Sequence, residues 1–166
     1  MSILKRYFNK GNCYFITSVT YKRMPILLDN ADLLIKAIQK MKYRLNYDLI
    51  AWVILHDHFH FLIQSDKYDP SDILHRIKLS FGILFRNKYK LKHGRIWQSR
   101  YWDHVIRDEN DLRHHIDYIH YNPVKHGLTI NPFKYKSSSL NEFSGMYPPN
   151  WGINEEIIFD CSFGDE

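Results

Sequence analysis

The stretch Trp52-Val53-Ile54-Leu55-His56-Asp57-His58-Phe59-His60-Phe61-Leu62-Ile63 decides how the rest of the chain is arranged. Asp48 to Leu55 reads as one strand and His58 to Gln64 as the next, because β-branched, aromatic and apolar residues crowd both. His56-Asp57 leaves room only for a tight connection, so the two strands form an antiparallel hairpin. A strand sends alternate side chains to opposite faces. His58 and His60 therefore stand side by side on one face, with Phe59 and Phe61 on the other. Two neutral imidazoles on a rigid strand are half of a site for a divalent metal. They are equally compatible with two exposed polar residues in a chain of ten histidines. His56 has the same parity as His58 and reads as a turn residue or an additional ligand.

Upstream, Cys13 to Tyr21 is an aromatic, β-branched strand. Leu33, Leu34, Ala37, Ile38, Met41 and Leu45 then recur at helical spacing behind a cap at Asp29 or Asn30. Downstream, Pro70-Ser71-Asp72 opens a second helix with an apolar stripe of Ile73, Leu74, Ile77, Phe81, Leu84 and Phe85. Tyr101 to Ile106 reads as a fourth strand. Asp108 caps a third helix whose buried stripe is Leu112, Ile116 and Ile119; Pro123 predicts its end near Asn122. The order is βαββαβ and then a helix. It predicts an α+β, ferredoxin-like sandwich, an antiparallel sheet with two helices on one face and the histidine pair on the other. Residues 1–130 carry this unit. Residues 131–166, rich in Pro, Ser, Asn and Gly and ending in acidic residues, read as an extended segment and not a separate domain.

The 166 residues are 45% hydrophobic and 25% charged, the balance of a soluble globular protein. No apolar run reaches membrane-spanning length and no signal-peptide pattern opens the chain, so a reducing cytoplasm is expected, with Cys13 and Cys161 as free thiols. Net charge is +5, and no Lys or Arg follows Lys136. Five of the 18 carboxylates fall in the last sixteen residues, so residues 1–150 set 23 cations against 13 acids, a balance of +10. A basic body with 16% aromatic residues suits nucleic acid, cations for phosphates and rings for unpaired bases. Arg6, Lys78, Arg95, Trp97 and Arg100 are the candidate DNA contacts on charge and neighbours. Trp97-Gln98-Ser99-Arg100-Tyr101-Trp102 either packs as core or lines a groove for unpaired bases.

The third helix supplies a second half for the site. Tyr118 and Asn122, four residues apart, share a helix face at the border of the buried stripe. A tyrosine there packs on the sheet or presents its hydroxyl to the histidines.

These residues together resemble the single-tyrosine HUH transposases, and within them the transposases associated with repetitive extragenic palindromes (REPs). The resemblance spans most of residues 5–130. It is carried by His58-Phe59-His60, by Ile96-Trp97-Gln98 with Tyr101-Trp102-Asp103-His104-Val105-Ile106-Arg107, and by Asp117-Tyr118-Ile119-His120-Tyr121-Asn122-Pro123-Val124-Lys125-His126-Gly127-Leu128. It implies that His58 and His60 bind a divalent metal, Mg²⁺ or Mn²⁺, that Asn122 completes that site, and that Tyr118 is the nucleophile. It implies cleavage of single-stranded DNA near palindromic hairpins, with a 5′-phosphotyrosine and a free 3′-hydroxyl. Mobile-element relatives act as dimers, whereas the REP-associated branch implies a monomer. His56 departs from the pattern, since Pro often holds that place.

The chemistry is coherent. A phosphodiester repels anionic attack, and a cation on a non-bridging oxygen offsets the developing charge. Two imidazoles and an amide leave the cation its full charge, and imidazole favours Mn²⁺ over Mg²⁺. Two other readings stand beside it: a metal-dependent nuclease in which water attacks, and a DNA-hairpin binder that keeps the fold without the chemistry.

Overall fold

A computed structural model describes residues 13–159. Four strands form one antiparallel sheet: β1 (Cys13–Val19), β2 (Asp48–Ile54), β3 (His58–Gln64) and β4 (Trp102–Val105), in the order β2-β3-β1-β4. This is the ferredoxin-like arrangement expected from the βαββαβ order. The β2–β3 hairpin closes with Leu55 N–H donating to the His58 carbonyl (2.9 Å). The histidine strand is interior, flanked by β1 and β2, and all seven of its residues are buried. Its register against β1 sets Thr17 opposite His60 and Val19 opposite His58.

Helix α1 (Ala31–Leu45) buries the six apolar residues its spacing selected. Helix α2 (Pro70–Tyr89) starts where Pro70 takes the first helical position and the Asp69 carboxylate accepts from Ser71 N–H (2.8 Å), so a proline without an N–H and a capping acid mark the same boundary. Both helices pack on one face of the sheet, in a core with Ile16, Phe59, Phe61 and Ile63. Helix α3 (Glu109–Lys125) is capped by Asp108, whose side chain accepts from Asp111 N–H (2.9 Å). It covers the opposite face, against Phe15, Ala51, Val53 and Leu62. The even and odd positions of β3 thus feed two separate cores.

Three expectations need correction. The third helix runs through Pro123 to Lys125 instead of stopping near Asn122. Proline removes one rung of the ladder, but packing on the sheet holds the last turn, where His126 N–H still reaches the Asn122 carbonyl (3.0 Å). Tyr118 and Asn122 are fully buried, not at a border, because later chain wraps the outer side of α3. That later chain is itself ordered where composition suggested a loose segment. Ser137 accepts from Ile54 N–H and Ser139 N–H donates to the Trp52 carbonyl, both 2.9 Å, so residues 137–139 line the free edge of β2 and satisfy groups an edge strand would expose. Leu140 and Phe143 then bury against the same layer. No described helix is long and apolar enough to cross a membrane.

Candidate active site

His58 opens β3, and its orientation is set from behind. Its Nδ1–H donates to the Asp57 carboxylate (2.6 Å), and Arg23 donates to the other oxygen of that carboxylate (3.2 Å). A carboxylate only accepts, so the His58 ring keeps its lone pair on Nε2. Burial pushes the Asp57 carboxyl up, but the hydrogen bonds and charges of His58 and Arg23 outweigh it and hold it below the usual range. Arg23 sits in a turn where it and Lys22 both have left-handed backbone (φ 52° and 53°), a conformation costly for residues other than glycine.

His60 is completely buried, and its Nδ1 is in hydrogen-bond contact with Thr17 Oγ1 (2.8 Å) across the β1–β3 register. Burial, then the repulsion that a protonated ring would meet from protonated His126, from Lys125 and from protonated His115, pushes its pKa down to about 3, so the ring is neutral at any ordinary pH. The His58 and His60 ring centroids are 5.1 Å apart at 80°.

Helix α3 brings a row of side chains to this pair. The Tyr118 ring lies 5.4 Å from that of His60, and the His126 ring lies 5.1 Å from that of His58. Tyr118, Asn122 and His126 are spaced by four, so they stack along one helix face. Asn122 therefore sits between two residues that each touch one histidine, with its Oδ1 sealed from solvent along with both histidine Nε2 atoms. The Lys125 ammonium donates to the Tyr118 hydroxyl (3.3 Å) and lies 4.9 Å from the ring centre. Burial lowers the pKa of Lys125, and burial, followed by the repulsion a protonated His58 and the Lys125 ammonium would exert, brings His126 down to about 4. Phe159 closes the outer side, its ring edge-on to Tyr118 at 5.4 Å, and Tyr121 donates to the Glu155 carbonyl (2.8 Å).

The remaining sequence candidates lie elsewhere. Arg6 falls outside the described residues. Lys78 and Arg95 line a groove of about 340 Å³ beside α2, with His75, Arg86 and the edge of Trp97; Arg100 is exposed close by in sequence. Lys78 donates to the Gln98 carbonyl (3.2 Å), and burial followed by the Arg95 charge lowers its pKa to about 8. Trp97, read as either core or groove, is a buried residue that packs on Phe59 and Phe81 and donates its N–H to the Lys78 carbonyl, while its edge still lines the groove. His56 is an exposed turn residue.

Sequence reasoning missed Thr17, Asp57, Lys125 and His126. His126 was legible as the next step of the Tyr118–Asn122 row. Thr17 was not, because only the strand register reveals it. A second group of donors with metal-ligand chemistry, His104, Asp111 and His115, lies where β4 meets α3.

Residues 8–122 match the family model described as transposase IS200-like, a span that contains both histidines, Tyr118 and Asn122. The chain belongs to this family. Over 170 aligned residues it is 34% identical to the REP-associated tyrosine transposase of Escherichia coli, with 99% of this chain and 98% of the relative covered. It is 33% identical, again over 170 residues, to a Haemophilus influenzae chain of the same kind, with 95% and 97% covered. A solved REP-associated tyrosine transposase bound to a REP hairpin superposes with a TM-score of 0.79 at 32% identity, covering 94% of this chain and 92% of that one. A Deinococcus radiodurans structure, at 18% identity and a TM-score of 0.51 over 62% of this chain and 85% of its own, shares the fold alone.

Proposed function

We propose that this transposase cleaves and rejoins single-stranded DNA beside palindromic hairpins, with Tyr118 as nucleophile and a divalent cation held by His58, His60 and Asn122. The observation that carries this reading is the packing of the Tyr118 ring on His60 within a row that also places Asn122 and His126 along the histidine pair. The donor set fits such a cation. Asp57 fixes the His58 lone pair on Nε2, Thr17 occupies Nδ1 of His60, and burial keeps His60 neutral. Two nitrogens and an amide oxygen suit Mn²⁺, or Mg²⁺ with water filling the set. Bound there, the ion would neutralise charge on a non-bridging phosphate oxygen.

The chain's own groups account for the rest. The Tyr118 oxygen forms a bond to phosphorus as the bond to the 3′-oxygen breaks. The phenol proton passes to water and the departing 3′-oxygen takes one from water, giving a 5′-phosphotyrosine and a free 3′-hydroxyl with no net proton change. The reverse reaction with another 3′-hydroxyl rejoins DNA. Lys125 holds the phenol oxygen in place before attack. The Tyr118 ring packs on His60 of its own chain, and action as a monomer is part of the proposal. Residues 1–130 supply the reacting groups, and residues 131–166 extend the same unit. The hairpin seen on the solved relative is the substrate class proposed here, with Lys78, Arg95 and Arg100 on its phosphates. A cytoplasmic location follows from such a substrate.

The test is a labelled single-stranded hairpin oligonucleotide incubated with the protein and Mn²⁺, then run on a denaturing gel. A covalent protein–DNA band absent in Tyr118→Phe is expected. Cleavage persisting in Tyr118→Phe would transfer the chemistry to water, and binding without cleavage would leave a hairpin-binding protein.

A further inference from the structure

We propose that His104, Asp111 and His115 form a second divalent-cation site, taking an ion of the zinc class through two imidazole nitrogens and one carboxylate oxygen. The three ligand atoms lie within 4.8 Å of one another. His104 Nε2 is 2.8 Å from one Asp111 oxygen and His115 Nδ1 is 3.0 Å from the other. Around a tetrahedral zinc, ligands at about 2.0–2.2 Å stand roughly 3.3 Å apart. The two contacts use different oxygens of Asp111, so an ion is admitted when each contact opens by a few tenths of an ångström and side-chain rotation draws the two imidazoles, now within 4.8 Å, onto one ion.

The ligands come from rigid elements. His104 is on β4, paired with Phe15 of β1. Asp111 and His115 are four apart on the first half of α3, the i,i+4 spacing that points two side chains at one spot. Neighbours hold the ligands in place. The two histidine rings stack at 4.7 Å and 14°, Trp102 lies parallel to His104 at 6.1 Å, and Phe15 packs on His115 at 4.8 Å. Arg107 N–H donates to the carboxylate (2.9 Å), orienting it. Metal sites depend on such supporting contacts as much as on ligand identity.

The cluster also has access. His104 and Asp111 side chains keep 22% and 18% of their surface exposed, while His115 keeps 3%. An ion could enter from the His104 side and hold a water as its fourth ligand. Binding requires each neutral ring to carry its single proton on the nitrogen away from the ion. His115 Nδ1 then gives up its contact with the Asp111 carbonyl (2.8 Å), an acceptor that the helix ladder already employs. Asp111 carries the negative charge: burial raises its pKa, but its bonds to His104 and Arg107 outweigh this and lower it. In an N₂O site the two imidazole nitrogens favour zinc over the harder magnesium, which prefers oxygen ligands.

This site is separate from the His58–His60 pair. The Phe15 ring lies between them, stacked on His60 at 5.3 Å and tilted on His115 at 4.8 Å. An ion here would tie β4 to the helix whose later turns carry Tyr118.

The full chain carrying His58→Ala and His60→Ala, which removes the other imidazole pair, is titrated with Zn²⁺ by calorimetry. One equivalent is expected to bind, and a further His104→Ala or Asp111→Asn change is expected to weaken binding at least tenfold. Co²⁺ in the same background should give the strong visible absorption of a four-coordinate centre, lost with His104→Ala. Absence of Zn²⁺ binding in a folded double variant overturns the proposal, as does binding that survives His104→Ala. Should the double variant not fold, the unmodified chain is compared with His104→Ala/His115→Ala: loss of one bound equivalent supports the site, and an unchanged count overturns it. Hairpin cleavage by the unmodified chain in Mn²⁺ is read separately, so failure of one proposal does not decide the other.

Discussion

Single atoms set the behaviour of the candidate site. Asp57 is the clearest case, because its carboxylate dictates which nitrogen of His58 carries the proton. In Asp57→Asn the amide can present either a donor or an acceptor, so the tautomer is no longer imposed. Losing such a supporting partner weakens metal binding by about 10–100-fold. The Mn²⁺ concentration for half-maximal hairpin cleavage should rise by that order, with DNA binding unchanged in a gel-shift assay. Lys125 gives a second test. Its ammonium contacts the Tyr118 oxygen directly, and hydrogen bonds to charged groups contribute about 1.5–3 kcal/mol. If that contact serves attack, Lys125→Met should slow single-turnover cleavage by roughly 10–100-fold. Equal loss of hairpin affinity and of rate would instead make Lys125 a DNA-binding cation.

The elements were legible to different degrees, for physical reasons. The strands around His58 and His60 could be read because alternation survives on a strand buried on both sides: histidines feed one core and phenylalanines the other. The starts of α2 and α3 could be read because Pro70 at the first helical position and the Asp108 cap mark them locally. The end of α3 could not. The rule that a residue before proline leaves helical geometry is a local preference, whereas here Asn122 and Pro123 are buried in the fold and the helix continues to Lys125. Residues 137–139 were misread for a related reason. Their pairing with β2 uses backbone groups and serine hydroxyls, and a serine run has the composition of a loop. Ser139 shows what that edge contributes. Its hydroxyl accepts from Trp52 N–H (2.9 Å) and contacts His120 Nε2 (2.9 Å), deep under the layer. Ser139→Ala leaves two buried polar partners unmatched, so a loss of about 1–3 kcal/mol is expected, measured by urea unfolding. A loss below about 0.5 kcal/mol would mean that water replaces the hydroxyl.

Across the whole molecule, the buried imidazoles make stability depend on pH. Burial brings His60 and His120 down to about 3, and burial, with the repulsion of a protonated His58 and of the Lys125 ammonium, brings His126 to about 4. In the unfolded chain each would titrate near ~6.5. Between those limits the unfolded chain binds protons that the folded chain refuses, so unfolding stability rises with pH in that range and falls on acidification. The sign is opposite to that of a histidine whose pKa is raised by a folded-state partner. Asp57 and Asp111, both lowered when folded, act in the same direction at the acid end. With three such histidines, unfolding near pH 5 should take up about three protons, a slope of roughly 4 kcal/mol per pH unit. Urea midpoints measured from pH 7.5 down to 4.5 should fall steeply below about pH 6.5 and change little above it. Replacing His120 by Gln, which keeps a polar side chain without titrating, should reduce the proton uptake by about one while leaving the His60 and His126 contributions. A flat profile between pH 7 and 5 would mean that these rings are protonated in the folded chain. That would also remove the neutral His60 on which the proposed cation site depends, so one stability measurement bears on the core and on the chemistry together.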